Sequence, residues 1–585
     1  MVDTTPRAGQ FDGGTTEGGF GSDGRSRGGL AWLTDRQLPH YPDDRTRSRY
    51  LAITVLATIV LYYELYVGGS VATKVIAEYG FTFTQFILVL VIGNAVGACA
   101  SLFAGLADRW GRANLVVGGL LLTGLLIGLG IPHAPNKITY AVMFGLVSVV
   151  EGMVLVATPA LIRDFSPQVG RGAAMGFWTL GPVLGSLVVT VVSSHTLTAH
   201  PNWRFQFYVC GIVGLVVFVV ALIGLKELSP SLRDQLMVSL KDRALIEARA
   251  AGLDPEKALQ GSWRQMLRLD VVGPAFAIAV FLLLYYVLVA FLVVYFVTVF
   301  GYTEQKANSL ANWYWIANAI ALVTTGLLSD KLRVRKPLMI VGAVIALIST
   351  ALFAKVSTNL ETSYYTFALV FVVGALGGGM AYVAWMAGFT ETVERHNPAA
   401  TATGLAIWGW IIRVVVTVSY AALILVVPAT STLVDHGPRA LDIAAKYPDQ
   451  VATLGAVDTP TLLALQASPS SPPPAALNKA IAELQGAGLA TSPTAAINRL
   501  LQLQKSPIPA DDLQFLQKNG AQVKQAQKDN PKQWQHWWLI CLAAQALFLP
   551  FVFLMAGRWS PRRAREDELE HEQLVEREMQ ALRAG

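Results

Sequence analysis

The sequence predicts an all-α membrane protein: twelve transmembrane helices in two groups of six, plus a small helical insertion outside the bilayer. Three observations carry this. Of 585 residues, 53% are hydrophobic and only 14% are charged, too few charges for a soluble surface of that size. Apolar runs of about 20 residues, the length that crosses a bilayer, recur along the chain. Lys and Arg collect in every other short turn, which is to say on one side, the bias of cytosolic loops. The formal charge of +6 follows from that bias and gives no hint of nucleic acid. No Walker-type phosphate loop supports ATP-driven work.

Residues 1–49 hold no apolar stretch and are expected to be a disordered cytosolic tail, with the first span itself targeting the chain. The first group of spans, within 50–225, falls near 51–77, 83–106, 114–131, 138–162, 172–194 and 203–225. A polar linker at 226–270 carries Leu232, Leu236 and Leu240 on one stripe, as an amphipathic cytosolic connector would. Spans seven to eleven, within 271–428, fall near 271–298, 306–328, 336–356, 363–389 and 402–428. With both termini in the cytosol, Arg112, Arg163, Arg171, Arg335, Lys336, Arg395, Arg558 and Arg562 lie inside, against Lys137, Arg204 and Lys306 outside.

The region 429–533 is rich in Ala, Pro, Ser and Gln, with amphipathic pieces near 437–446, 475–487 and 494–504, and reads as an extracytoplasmic helical subdomain. It is either a solvated lid or decoration, or a module that captures substrate or an extracytoplasmic protein partner. The twelfth span is placed at 534–557, with Trp534, Trp537 and Trp538 expected to anchor its outer end at headgroup level. A charged cytosolic tail helix follows at 558–585. Cys99, Cys210 and Cys541 all lie in apolar runs and read as small core hydrophobes; no metal site and no cofactor is expected.

The turn after the second span reads Gly-Leu-Ala-Asp-Arg-Trp-Gly-Arg from Gly105 to Arg112. A weaker copy follows the eighth span, where Gly326, Leu328, Ser329, Asp330 and Lys331 repeat the pattern and Arg333 stands in place of the glycine. A turn of a different shape is expected there. The first turn resembles the loop between helices 2 and 3 of the major facilitator superfamily, with Ala104 in place of the leading glycine and Leu106, Ala107, Asp108, Arg109, Gly111 and Arg112 on the pattern. Glu227-Leu228-Ser229-Pro230 is similar to the end of helix 6 in sugar-like and acid transporters of that superfamily.

The resemblance implies a secondary transporter with pseudo-symmetric halves and a solute site at the midplane. It also implies that Asp108, Arg109, Gly111, Arg112, Asp330 and Lys331 act in gating, with Asp108 contacting the start of the eleventh helix near Ala402. By the same resemblance the first, fourth, seventh and tenth helices line the central cavity.

Ionisable residues within spans are costly and therefore candidates for function. Glu64 lies in the first span, Glu151 in the fourth and Arg413 in the eleventh. A carboxyl group out of water can load and release a proton near neutrality, so Glu64 and Glu151 are the proton-coupling candidates. Glu64 is slightly favoured for the tyrosines around it. Arg413 stays charged and requires an anion, either a protein carboxylate or a substrate. Tyr285, Tyr286, Trp385, Asn312 and Asn318 complete the candidate solute-binding set. The Gly181-Pro182-Val183-Leu184-Gly185-Ser186 stretch resembles the antiporter signature of the superfamily, with Ser186 for its last glycine.

The expected function is proton-coupled alternating access for a small organic solute, an organic anion favoured, by a monomer in the lipid of the plasma membrane. The alternative is a drug or metabolite proton antiporter, and a third, less favoured, is a sensor or scaffold acting through 429–533. An enzyme is not expected: His195 and His200 sit near Ser193 and Ser194 without a nucleophile motif.

Overall fold

In a computed structural model, the structure describes residues 36–101, 111–165, 171–229, 232, 263–396, 401–468, 472–505 and 508–584. The first half contains α1 (Asp44–Ser70), a short α2 (Ala72–Tyr79), α3 (Phe83–Ser101), α4 (Arg112–Leu125, extended by tighter and wider turns to His133), α5 (Lys137–Phe165), α6 (Arg171–Thr196) and α7 (Arg204–Gly224). The second half contains α8 (Leu269–Phe281) and α9 (Leu283–Phe300), which are two pieces of one span, then α10 (Glu304–Leu332), α11 (Lys336–Val356), α12 (Tyr364–His396) and α13 (Thr401–Val426). The insertion supplies α14 (Pro428–Lys446), α15 (Pro448–Ala456), α16 (Thr459–Ala467), α17 (Pro474–Gly486) and α18 (Pro493–Lys505), and the chain finishes with α19 (Ala510–Val552) and α20 (Pro561–Ala584).

Among the described residues, 11 helices are long and apolar enough to cross a membrane. The twelfth span is α10, kept below that apolarity by Glu304, Lys306, Asn308, Asn312 and Asn318. Its start is nonetheless well marked. Gly301, at φ 63°, closes α9, and the Thr303 side chain accepts the Lys306 N–H to cap α10.

Lipid gives no hydrophobic drive between helices, so the spans associate by close packing at small residues. A Cβ on Gly211 of α7 would lie 2.3 Å from Gly128 Cα, and one on Gly152 of α5 would lie 2.3 Å from the Gly97 carbonyl of α3. The cores are arranged unequally. One cluster joins the halves, running from Tyr63, Phe86 and Phe207 of the first to Phe291, Trp315 and Phe371 of the second. Two further clusters stay within one half each, around Leu120 and Leu161 in the first and Met339 and Trp385 in the second. The shared cluster lies toward the insertion and the separate ones toward the opposite face, here called the loop side. The halves are thus joined on the insertion side.

Three expectations are corrected, and the one on the shape of the second turn holds. The stretch before the first span is structured from Arg36: β1 (Gln37–Leu38) pairs in parallel with β2 (Glu227–Leu228), and α1 begins at Asp44, not at 51. The twelfth span does not start at 534, because α19 is one continuous helix of 43 residues that begins in the insertion. Trp534, Trp537 and Trp538 do not face headgroups. Each is at most 2% exposed, and Trp534 and Trp538 pack against Tyr295 at 5.0 and 5.2 Å, inside the wedge between α19 and the bundle. Finally, the second turn does differ in shape: Arg333 takes φ 57°, ψ 26°, a left-handed geometry open to side chains, whereas Gly111 takes φ 90°, ψ 132°. The linker residues Leu236 and Leu240 lie outside the described residues.

Within the insertion, Val457, Ala480, Leu484, Ala490 and Ala496 form a small core of their own. The first insertion helix, α14, lies along α19, where Ala429, Leu433, Val523 and Ala526 meet. Thr430 donates to Asn530 at 2.7 Å and accepts from Trp534 Nε1 at 2.8 Å, so the contact is satisfied polar as well as apolar.

Candidate functional site

A cation lies near the centre of the molecule. Arg413 sits midway along α13, the helix that crosses α3 between the halves. Asn94 of α3 donates to the Arg413 carbonyl at 2.9 Å and to Thr417 Oγ1 at 2.7 Å, which fixes this turn of α13 against the first half. The guanidinium reaches toward α3 and α5: a Cβ on Gly97 would stand 3.3 Å from Nη1, so the glycine makes the room. Its electrostatic neighbours are Tyr62 and Tyr66 of α1 and Glu151 of α5. Among the described residues no salt bridge or hydrogen bond engages the guanidinium.

Glu151 lies one turn from Ser148, whose carbonyl would meet the same Gly97 Cβ at 2.9 Å. It is 2% exposed, and neither carboxylate oxygen has a hydrogen-bond partner. Glu64 is equally buried and also without a hydrogen-bond partner, but it does not face the solute path as expected. A Cβ on Gly214 of α7 would lie 2.0 Å from Glu64 Oε1 and 3.4 Å from Gly124 Cα of α4. The side chain thus points backward between α1, α4 and α7. The two acids still sense each other electrostatically, with Glu151 between Glu64 and Arg413 in charge terms.

A tyrosine and tryptophan wall faces this centre. Tyr62 packs on Tyr66 at 5.5 Å, and Tyr285 of α9 meets Tyr286 at 5.6 Å and Trp315 at 5.4 Å. The Tyr285 and Tyr286 hydroxyls are buried without partners, and the Leu282 break in the span sits one turn before them. Tyr420 of α13 donates to the Tyr286 carbonyl at 3.2 Å.

The other expected binding residues lie elsewhere. Trp385 is fully buried in the second half's loop-side core, stacked on Phe389 at 4.7 Å and close to Trp408 at 5.4 Å, so it is packing and not a cavity wall. Asn318 donates to the Ala375 carbonyl at 3.3 Å and ties α10 to α12 within one half. Asn312 belongs to a seam between the halves, donating to Ser194 Oγ at 3.0 Å. The same seam contains Asn308 donating to the Ser70 carbonyl at 3.0 Å, Gln305 to the Ser194 carbonyl at 3.0 Å, and Thr73 to Glu304 at 2.9 Å. It closes the insertion side.

On the loop side, Asp108 and Arg109 lie outside the described residues. Gly111 and Arg112 are placed. The Arg112 N–H donates to Glu227 Oε2 at 2.7 Å, and its side chain pairs with Asp164 of α5 at 2.7 Å. A Cβ on Gly111 would strike Glu227 Oε1 at 2.2 Å, so glycine is required for space as well as for its φ. Arg36 crosses over this carboxylate and donates to the last carbonyls of α7, Leu222 at 2.6 Å and Leu225 at 3.1 Å. The second half has a counterpart: Arg335 pairs with Glu391 of α12 at 3.0 Å and with Asp330 at 2.9 Å, while Lys331 is exposed.

Sequence reasoning passed over Asn94, Tyr62, Tyr66, Asp164 and Glu391. The two acids could have been found by the repeat itself, since each lies near the end of the second helix after a cationic turn.

The model described as "Major Facilitator Superfamily" matches residues 54–417, more than half of the chain. Sialin of Ovis aries is 24% identical over 278 residues, 46% of this chain and 48% of its own. Efflux pump radE of Floropilus chiversii is 28% identical over 149 residues, 25% and 27%. The cis,cis-muconate transport protein of Acinetobacter baylyi is 30% identical over 119 residues, 20% and 27%. The chain thus spans from about a quarter to about half of the length of these relatives. Among solved structures, a bacterial homolog of the human lysosomal transporter Spinster, inward-facing and unoccupied, superposes with a TM-score of 0.52 at 15% identity, covering 89% of this chain and all of that one. A proton:xylose symporter bound to 6-bromo-6-deoxy-D-glucose superposes with a TM-score of 0.50 at 14% identity, covering 67% and 91%.

Proposed function

The chain belongs to the major facilitator superfamily, as a multi-pass membrane transporter and not an enzyme, and from that premise we propose that it carries a small organic anion by proton-coupled alternating access. The observation that supports this most is Arg413: a fixed cation at mid-depth, facing buried tyrosines, with no carboxylate paired to it among the described residues. A guanidinium largely withdrawn from water with no hydrogen-bonded counter-ion is costly, and a substrate carboxylate, sulfate or phosphate relieves that cost. The name of the Acinetobacter baylyi relative, a muconate transporter, accords with an anionic solute.

In this reading Glu151 is the group that exchanges the proton. Protonated, it leaves Arg413 free to hold the anion, so proton and solute load together. When the proton leaves, the carboxylate competes with the solute for the same guanidinium and the solute departs. Tyr62, Tyr66 and Tyr285 supply hydroxyls to the bound anion. The halves rock about this point, the seam from Ser70 to Asn312 opening as the loop side closes. Both termini face the cytosol of a plasma-membrane monomer, with 429–533 outside, where an extracytoplasmic partner would meet it.

Flux of organic acids into proteoliposomes under an imposed pH gradient tests the proposal. Arg413→Gln lowers anion uptake roughly tenfold to hundredfold, the worth of a charge-assisted contact. Glu151→Gln abolishes proton-driven accumulation while solute exchange persists. Full accumulation by Glu151→Gln would overturn the coupling role.

A second reading, proton antiport of a drug or metabolite, is favoured by one feature. The Gly181 and Gly185 positions of α6 bring α1 unusually close, with a Cβ at Gly185 standing 2.6 Å from Tyr62 Cβ. Outward transport driven by an inward proton gradient in inverted vesicles distinguishes it.

A further inference from the structure

The longest helix carries a feature that solute transport does not use. Along α19, Lys524, Lys528, Lys532 and His536 recur every four residues and therefore share one face. They line a groove of about 650 Å³ whose opposite wall is the turn after α11, with Thr358 and Leu360. That wall is fixed: Gln535 donates to the Ala354 carbonyl at 2.9 Å and Trp538 packs on Phe353 at 4.9 Å.

No carboxylate lines the groove, and among the described residues Lys528, Lys532 and His536 have no acidic partner. Like charges at this spacing repel by a few tenths of a kcal/mol per pair, about 0.2–0.5, which an anion in the groove would offset. Below His536 the same face turns apolar at once, with Leu539, Ile540 and Leu547 between 41% and 46% exposed. A basic groove above, open to an exposed apolar stripe below, is the complement of one kind of molecule.

We propose that this groove seats the headgroup of an anionic phospholipid from the leaflet on the insertion side, its acyl chains lying along Leu539, Ile540 and Leu547. The three lysines and His536 span about 18 Å of helix, against a headgroup layer of roughly 6 Å. Lys532 and His536 therefore take the phosphate, while Lys528 and Lys524 meet whatever the headgroup extends into water. The lipid bridges α19 to the end of α11, and so steadies the helix that links the insertion to the second half.

The test uses the full chain in nanodiscs of phosphatidylcholine with and without phosphatidylglycerol, followed by native mass spectrometry of retained lipid. Wild type retains phosphatidylglycerol selectively. Lys528→Gln with Lys532→Gln loses about fivefold of that preference per lysine removed, with unchanged thermal stability in pure phosphatidylcholine discs as the folding control. Lys306→Gln, which removes one charge on the same side but outside the groove, leaves retention unaltered. Three results would each overturn the proposal: undiminished retention in the double variant, equal loss in Lys306→Gln, or inorganic phosphate stabilising the protein as well as the lipid does.

Discussion

Glu64 and Glu151 are alike in composition and burial and differ only in direction. Glu64 points between α1, α4 and α7, away from Arg413, so Glu64→Gln, which keeps the shape and removes the charge, should leave pH-driven flux largely intact. Loss of flux equal to that of Glu151→Gln would place both acids on one proton path. At Gly111 the requirement is steric. Alanine would need the φ of 90° and would collide with Glu227, so Gly111→Ala is expected to cost about 1–3 kcal/mol, read as a fall in thermal midpoint in detergent. Both acids and the glycine were legible as important in the sequence, because a charge in an apolar run and a glycine in a polar turn are local signals. Which way Glu64 points was not legible, since α1 is buried on most of its circumference and its apolar pattern marks no single face.

At the scale of elements, the sequence located nearly every span because hydropathy is summed over about 20 residues and tolerates local error. It misplaced the start of α19, where a polar helix continues into an apolar one with no break in backbone. A composition change is not a helix end. Continuity has a mechanical consequence: α14 rides on α19, and its Asp435 accepts the Phe83 N–H at 2.8 Å, capping the start of α3 in the other half. Asp435→Ala should loosen this contact, seen as faster amide exchange at residues 83–86, whereas Asp435→Asn, whose carbonyl still accepts, should not.

The insertion's small core has its own pH window. The hydrogen bond from Lys479 holds the Asp458 carboxyl below its ordinary 3.8, and the same bond raises Lys479 above 10.5. The lowered acid contributes stability above its unfolded value that is lost as pH falls through the folded one. The raised lysine contributes below its unfolded value and is lost as pH rises through the folded one. Exchange protection of residues 457–484 should therefore be flat between about pH 5 and 9 and fall outside that range. Protection that changes at pH 7 would mean another group controls this core.

For the whole molecule, the six-plus-six arrangement was visible in the sequence as a gap between two sets of runs and as a repeated cationic turn. The repeat is physical as well: Arg112 with Asp164 in one half and Arg335 with Glu391 in the other brace equivalent helix ends. The state of the molecule was not visible, because it depends on which surfaces of the two halves touch, and no single span encodes that. The answer lies in the seam on the insertion side, where a shared core and the contacts of Ser70, Thr73, Ser194, Glu304, Asn308 and Asn312 join halves that keep separate cores on the loop side. The proposed alternating access requires this seam to part in every cycle. Thr73 donates to Glu304 at 2.9 Å across it, so cysteines at both positions in a background lacking Cys99, Cys210 and Cys541 are expected to be bridged by a short, reducible bifunctional thiol cross-linker that spans the reach of the replaced glutamate side chain. Transport should then stop and return on reduction, while either single cysteine transports in both conditions. Continued flux through the cross-linked protein would mean that the halves move about some other line, and that the closed seam is a permanent hinge and not a gate.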